Sequence, residues 1–118
     1  MKSSPLVEKS LDFATRIVIL YEEQVSTRKE TAILKQLLRS GTSVGANINE
    51  AVFGNSKADF ISKLHISLKE ANESIYWLKL LHNAKLIETP KSNELINLAE
   101  EIKAMLISSL NTAKSNKS

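Results

Sequence analysis

A chain of 118 residues, 42% hydrophobic and 25% charged, fits one compact domain with a modest core. The absence of cysteine excludes disulfides, zinc–thiolate sites and cysteine nucleophiles, and no apolar run approaches the roughly 18 residues that span a bilayer. The formal net charge of +3 leans basic, too weakly to argue for nucleic acid by itself.

Three glycines and two prolines leave little punctuation, which favours long helices over many strands. The N-terminal MKSSPLVEKS lacks the apolar core of a signal peptide, so the expectation is a cytoplasmic protein with no membrane contact. Ser4 before Pro5 reads as an N-cap with proline at the first helical position. A first helix over about residues 5–23 carries Val7, Leu11, Ala14, Ile17, Val18 and Tyr21 as its stripe, widened by Phe13 and Leu20. Thr27 and Glu30 have capping-box spacing and place the start of a second helix, about 28–53. Gly54 suits a left-handed C-cap, and Ser56, with Asp59 in the first turn, caps a third helix over about 57–86. Its core sector is Phe60, Ile61, Leu64, Leu68, Ala71, Ile75 and Leu78. Thr89 and Pro90 repeat the cap-then-proline signal before a fourth helix, about 90–113, whose stripe holds Leu95, Leu98, Ala99, Ile102, Met105, Leu106 and Leu110; a polar tail, 114–118, follows. The expected fold is all-α, an up-down-up-down antiparallel four-helix bundle.

The least generic stretch is RSGTSVGANINEA, residues 39–51. At 100° per residue, Leu34, Leu37, Leu38, Gly41, Val44, Gly45, Ile48, Ala51 and Val52 share one sector. A helical glycine costs on the order of 1 kcal/mol relative to alanine, so Gly41 and Gly45 on the apolar side ask for close approach of another helix. The competing reading is a break at SGTS; unbroken phase on both sides of Gly41 favours one helix, continuous or slightly kinked. Helix three poses a second question. Lys63, Ile66, Glu70, Glu73, Trp77 and Leu81 lie opposite its core sector, and a stripe with tryptophan and isoleucine suits an interface better than solvent. Two readings stand: an oligomer interface built from Ile66, Glu70, Glu73 and Trp77, with Arg39 pairing Glu70 or Glu73, or coverage of Trp77 within one chain.

Catalytic constellations are lacking. Glu70 and Glu73 sit one turn apart, but neither histidine, His65 or His82, follows a glutamate by three residues, so the Glu-x-x-His motif of di-metal bundles is missing. GTSVGAN has no lysine after it and no strand before it, unlike a phosphate loop, and Ser43 has no adjacent base. No enzyme activity, cofactor, metal or small-molecule substrate is expected. Arg28, Lys35 and Arg39 read as a basic strip on helix two, a solvated face by default in one copy, that repetition in an oligomer would multiply against phosphates.

KQLLRSGTSVGANINEA and DFISKLHISLKEANESIYWLKLL together resemble the bacterial 23S rRNA intervening-sequence proteins, also called the S23 family, over Lys35 to Leu81. The family's characteristic positions appear as Arg39, Ser40, Ser43, Gly45, Asn47, Glu50, Ala51, Lys69, Glu70, Ala71, Glu73, Ser74 and Trp77. The family is similar in fold to the accessory variability proteins of diversity-generating retroelements, pentameric barrels that bind nucleic acid. The resemblance implies a homopentameric ring and suggests association with RNA or DNA; it brings no catalytic residues. The expectation is a non-enzymatic, nucleic-acid-associated accessory protein, with a protein–protein scaffold as the alternative.

Overall fold

The computed structural model describes residues 4–29 and 31–115. Four helices follow in order: α1 (Pro5–Val25), α2 (Ala32–Val52), α3 (Lys57–Asn83) and α4 (Thr89–Ser115). They form an all-α bundle with extents of 52 × 23 × 20 Å. Cross-helix contacts fix the direction of each pair. Gly41 meets Ile17 while Gly45 meets Ser10; Ser74 meets Ser40 while Ser67 meets Val44; Glu101 meets Lys9 while Glu94 meets Arg16. Numbers rise on one helix as they fall on its neighbour, so these pairs run antiparallel. The α2–α3 seam is the most extensive and the α1–α4 seam the sparsest.

Local chemistry sets most of the ends. Ser4 Oγ accepts from the Val7 N–H at 3.1 Å with Pro5 in the first turn, and Ser56 Oγ accepts from the Asp59 N–H at 3.0 Å. Helix two starts at Ala32 rather than near 28. Thr27 belongs to the turn that closes α1, where its N–H and hydroxyl both donate to the Gln24 carbonyl at 3.2 and 3.1 Å. Glu30, the other half of the expected capping box, lies outside the described residues, and Thr31 occupies the N-cap without a side-chain bond. Gly54 does not take a left-handed conformation; no glycine has positive φ. It is needed for space, since a Cβ there would sit 2.6 Å from an Asp59 carboxylate oxygen and 2.9 Å from the Glu50 carbonyl.

Helix three ends at Asn83, three residues before the expected 86. Leu86 N–H donates to the Leu81 carbonyl and Lys85 N–H to the His82 carbonyl, both at 2.9 Å, which is the paired bonding of a Schellman stop. The left-handed position usually given to glycine is held by Lys85, with φ of 61°. Helix four begins at Thr89, its first turn closed by the Ser92 N–H on the Glu88 carbonyl; Thr89 is thus helical rather than the cap.

Helix two passes through Gly41 unbroken. A Cβ on Gly41 would lie 3.0 and 3.1 Å from Ile17 Cγ1 and Cγ2, and one on Gly45 would lie 3.2 Å from the Ser10 carbonyl oxygen. Both glycines therefore admit α1. That approach selects the core face of α1: Leu6, Ser10, Phe13, Ile17 and Leu20 are buried. Of the stripe expected from sequence only Ile17, Phe13 and Leu20 face fully inward, while Leu11 and Val18 are 66% and 41% exposed. Helix three is also rotated from expectation. Leu81 and Glu70 are buried, as are Ser67 and Ser74, whereas Phe60, Ile61 and Leu68 are half-buried. The cause is a serine seam. Ser67 Oγ donates to the Val44 carbonyl at 2.8 Å, and Ser74 Oγ donates to the Glu70 carbonyl at 2.9 Å. With that proton committed, the 2.8 Å contact between Ser40 and Ser74 hydroxyls is donated by Ser40. Each hydroxyl is satisfied, so these small side chains let α2 and α3 close together at low cost.

Candidate nucleic-acid interface

Three cations expected on one face of helix two have three different settings. Arg28 precedes α2 altogether. Its Nε donates to Gln24 Oε1 at 3.0 Å and its Nη2 to the Leu86 carbonyl, so it ties the α1–α2 turn to the α3–α4 turn. Lys35 is exposed in the first turn of α2. Arg39 is engaged by two carboxylates: Nη1 donates to Glu70 Oε2 at 2.7 Å and Nη2 to Glu73 Oε2. Two acidic partners neutralise it as a phosphate contact, and the hydrogen bond it donates to Glu73 leads the causes that hold its pKa above the already high arginine value. The three residues do not form one strip.

The helix-three residues expected at an oligomer interface lie in and beside this network. Trp77 Nε1 donates to Glu73 Oε2 at 2.9 Å, which is the largest cause of a Glu73 pKa below the ordinary carboxylate value, with Arg39 adding to it against a burial penalty. Glu70, only 8% exposed, depends on Arg39 for charge compensation. Trp77 is half-buried against the core and meets Tyr76 edge-on, ring centroids 5.2 Å apart. Arg39, Glu70, Glu73 and Trp77 thus satisfy one another within one chain, and Ile66, 41% exposed, stands outside their hydrogen bonds.

Positive charge gathers instead at the end of the bundle where α1 and α3 stop and α2 and α4 start. A cleft of about 910 Å³ opens there, lined on its polar side by Arg28, His82, Lys85 and Lys91 and on its apolar side by Leu20, Leu86, Ile87 and Pro90. Lys29 and Lys35 belong to the same end of the bundle, in the α1–α2 turn and the first turn of α2, but do not line the cleft. Among the described residues, Lys29, Lys35, Lys85 and Lys91 have no salt bridge, nor do Lys69, Lys79 and Lys114 elsewhere, whereas Lys9, Arg16, Arg39, Lys63 and Lys103 all do. Glu23 and Glu88 also line the cleft and moderate its charge. Sequence reasoning missed this cluster because Arg28 and Leu86 are 58 positions apart and no local pattern joins them.

His82 Nε2 lies 3.2 Å from the Thr89 hydroxyl, a contact that ties α3 to α4, and His65 is exposed. Among the described residues no group of three or more histidine, aspartate or glutamate side chains is placed to hold a metal ion, and no helix is long and apolar enough to cross a membrane.

Comparison with known proteins gives the lineage. No curated protein matches the chain. Among solved structures it is similar to the crystal structure of a protein of unknown function from the S23 ribosomal protein family of Bacteroides thetaiotaomicron VPI-5482. Identity is 50%, covering 89% of this chain and 97% of that one, with a TM-score of 0.86. Residues 2–108 match the family model described as 23S rRNA-intervening sequence protein. With a match over most of the chain and a half-identical structure of similar length, the protein belongs to the 23S rRNA-intervening sequence protein family.

Proposed function

We propose that this protein is a non-enzymatic, cytoplasmic, self-associating helical bundle that accompanies RNA, engaging phosphates at the loop end of the bundle. The carrying observation is the collection of cations without salt bridges at the loop end of the bundle: Arg28, Lys85 and Lys91 line the cleft, and Lys29 and Lys35 belong to the same end. One copy offers few phosphate contacts. A ring of copies, five by the family resemblance, presents the same cluster repeatedly on one side and turns weak contacts into avidity. Arg39 has no part in this reading, because its charge is spent on Glu70 and Glu73.

The test is binding of fluorescent single-stranded RNA and duplex DNA across a salt series. Replacing Lys29, Lys85 and Lys91 together by glutamine is expected to weaken binding at least tenfold and to flatten the salt slope, while Arg39→Gln changes neither once folding is verified. Absence of binding at low salt by an assembled wild type would leave the scaffold reading in place of the RNA one.

A further inference from the structure

Helix one carries a second apolar stripe that its own chain covers only in part: Leu11 and Val18 are exposed, while Val7 and Tyr21 are half-buried against the core. Val7, Leu11, Ala14, Val18, Tyr21 and Val25 recur at spacings of four and three, the pattern of a coiled-coil seam, and the N-terminal half of this stripe, Val7, Leu11 and Ala14, borders α2. That side of α2 is unusually plain. Between Arg39 and Glu50 it carries no charge, and Thr42, Gly45, Ala46 and Asn49 join Val7, Ser10, Leu11 and Ala14 around a groove of about 330 Å³. Apolar depth, small side chains and missing charge suit a packed helix better than water.

We infer that this α1–α2 flank receives helix three of a second copy of the chain, in a head-to-tail contact. The inference rests on the self-associating reading above and adds which two faces meet. Charge selects the occupant. On the outer rim of the α1 stripe, Glu8 and Glu22 have no salt bridge among the described residues, whereas Asp12 of α1 is paired with Arg16 and Glu101 of α4 with Lys9. An antiparallel second α1 would bring Glu8 near Glu22 of the other copy, a like-charge clash. The outer face of α3 has the opposite character: Tyr76, 60% exposed, and Ile66 lie there with Lys69 and Lys79, neither of which is in a salt bridge. Glu8 and Glu22 are about 21 Å apart along α1 and Lys69 and Lys79 about 15 Å along α3, so the basic span fits inside the acidic one. The exposed Ile107 of α4 is a poorer candidate, because the nearby Lys103 already pairs with Glu100. Two different faces on one chain make a heterologous contact, which propagates until rotation closes it.

The experiment uses two full-length variants whose changes fall on exposed side chains, each checked for wild-type helicity and melting. Leu11→Asp with Val18→Asp removes the receiving face; Lys69→Glu with Lys79→Glu removes the inserted face. Light scattering coupled to size exclusion is expected to show an assembled wild type, each variant alone as one chain, and an equimolar mixture as a 1:1 heterodimer, since each variant retains the face the other lacks. Monomeric variants that stay monomeric when mixed would overturn the head-to-tail contact in favour of a symmetric one. A wild-type assembly untouched by the α1 changes would overturn the choice of faces while self-association stands. A monomeric wild type would overturn both this inference and the self-association on which it rests.

Discussion

Gly41→Ala sets two effects of similar size against each other. Alanine in place of a helical glycine stabilises a helix by about 1 kcal/mol, so a freely exposed site would gain. At Gly41 the new methyl would sit 3.0 and 3.1 Å from two carbons of Ile17 and 3.4 Å from a third. Ile17 is fully buried, pinned by the helix that carries it, and has no empty space to move into. Overpacking of this kind costs about 1–3 kcal/mol. The expected net is a loss of about 1 kcal/mol, or roughly 3–5 °C in Tm for a chain of this size. Ile17→Ala alone should cost about 2–5 kcal/mol through the cavity it leaves. In the double variant the alanine methyl at 41 occupies part of that cavity, so the double should be more stable than the sum of the singles by about 1 kcal/mol or more. Urea melts followed by circular dichroism measure all three. A Gly41→Ala protein as stable as wild type, with no coupling to Ile17, would refute the close-packing account and leave Gly41 unexplained.

Two further predictions concern the loop end and the helix-three network. Lys85→Gly should raise Tm by roughly 3–5 °C, because glycine relieves a left-handed backbone worth about 1 kcal/mol, and should weaken RNA binding by removing a cleft cation; an unchanged or lower Tm counts against strain at that position. Trp77→Phe removes the leading cause of the depressed Glu73 pKa. The stability that this carboxylate contributes is present above its ordinary unfolded value and is lost as pH falls through the lower folded value. The deficit of Trp77→Phe relative to wild type should therefore be largest near neutrality and narrow in acid; thermal melts showing a gap independent of pH would contradict the assignment.

What the sequence made legible follows the range of the interactions responsible. Ser4–Pro5 and Ser56 announce their helices because the cap bond closes within three residues, and the phase of α2 carries through Gly41 because an apolar period is a property of one segment. The face of α1 was not legible in the same way. Two apolar stripes lie side by side there, and the choice between them is made by glycines on another helix. The buried serines of the α2–α3 seam look polar in any one-segment reading, and only the carbonyl and hydroxyl across the seam turn Ser40, Ser67 and Ser74 into core residues. Arg28 fails for the same reason at greater distance, since its carbonyl acceptor belongs to the α3–α4 turn. Glu70 and Glu73 were legible as a pair beside Arg39; that their bonds close within one chain needed three dimensions.

The alternating direction of the helices has a practical corollary for handling the protein. Ser4, Ser115 and the short turn between α2 and α3 share one end, while the cationic cleft occupies the other, up to 52 Å away along the long axis. A fluorophore placed beside Ser4 or in the last turn of α4 therefore sits at the end opposite the cleft. Chains tethered there all present the same end to solution, so an immobilised layer reports on the cleft with its orientation already set.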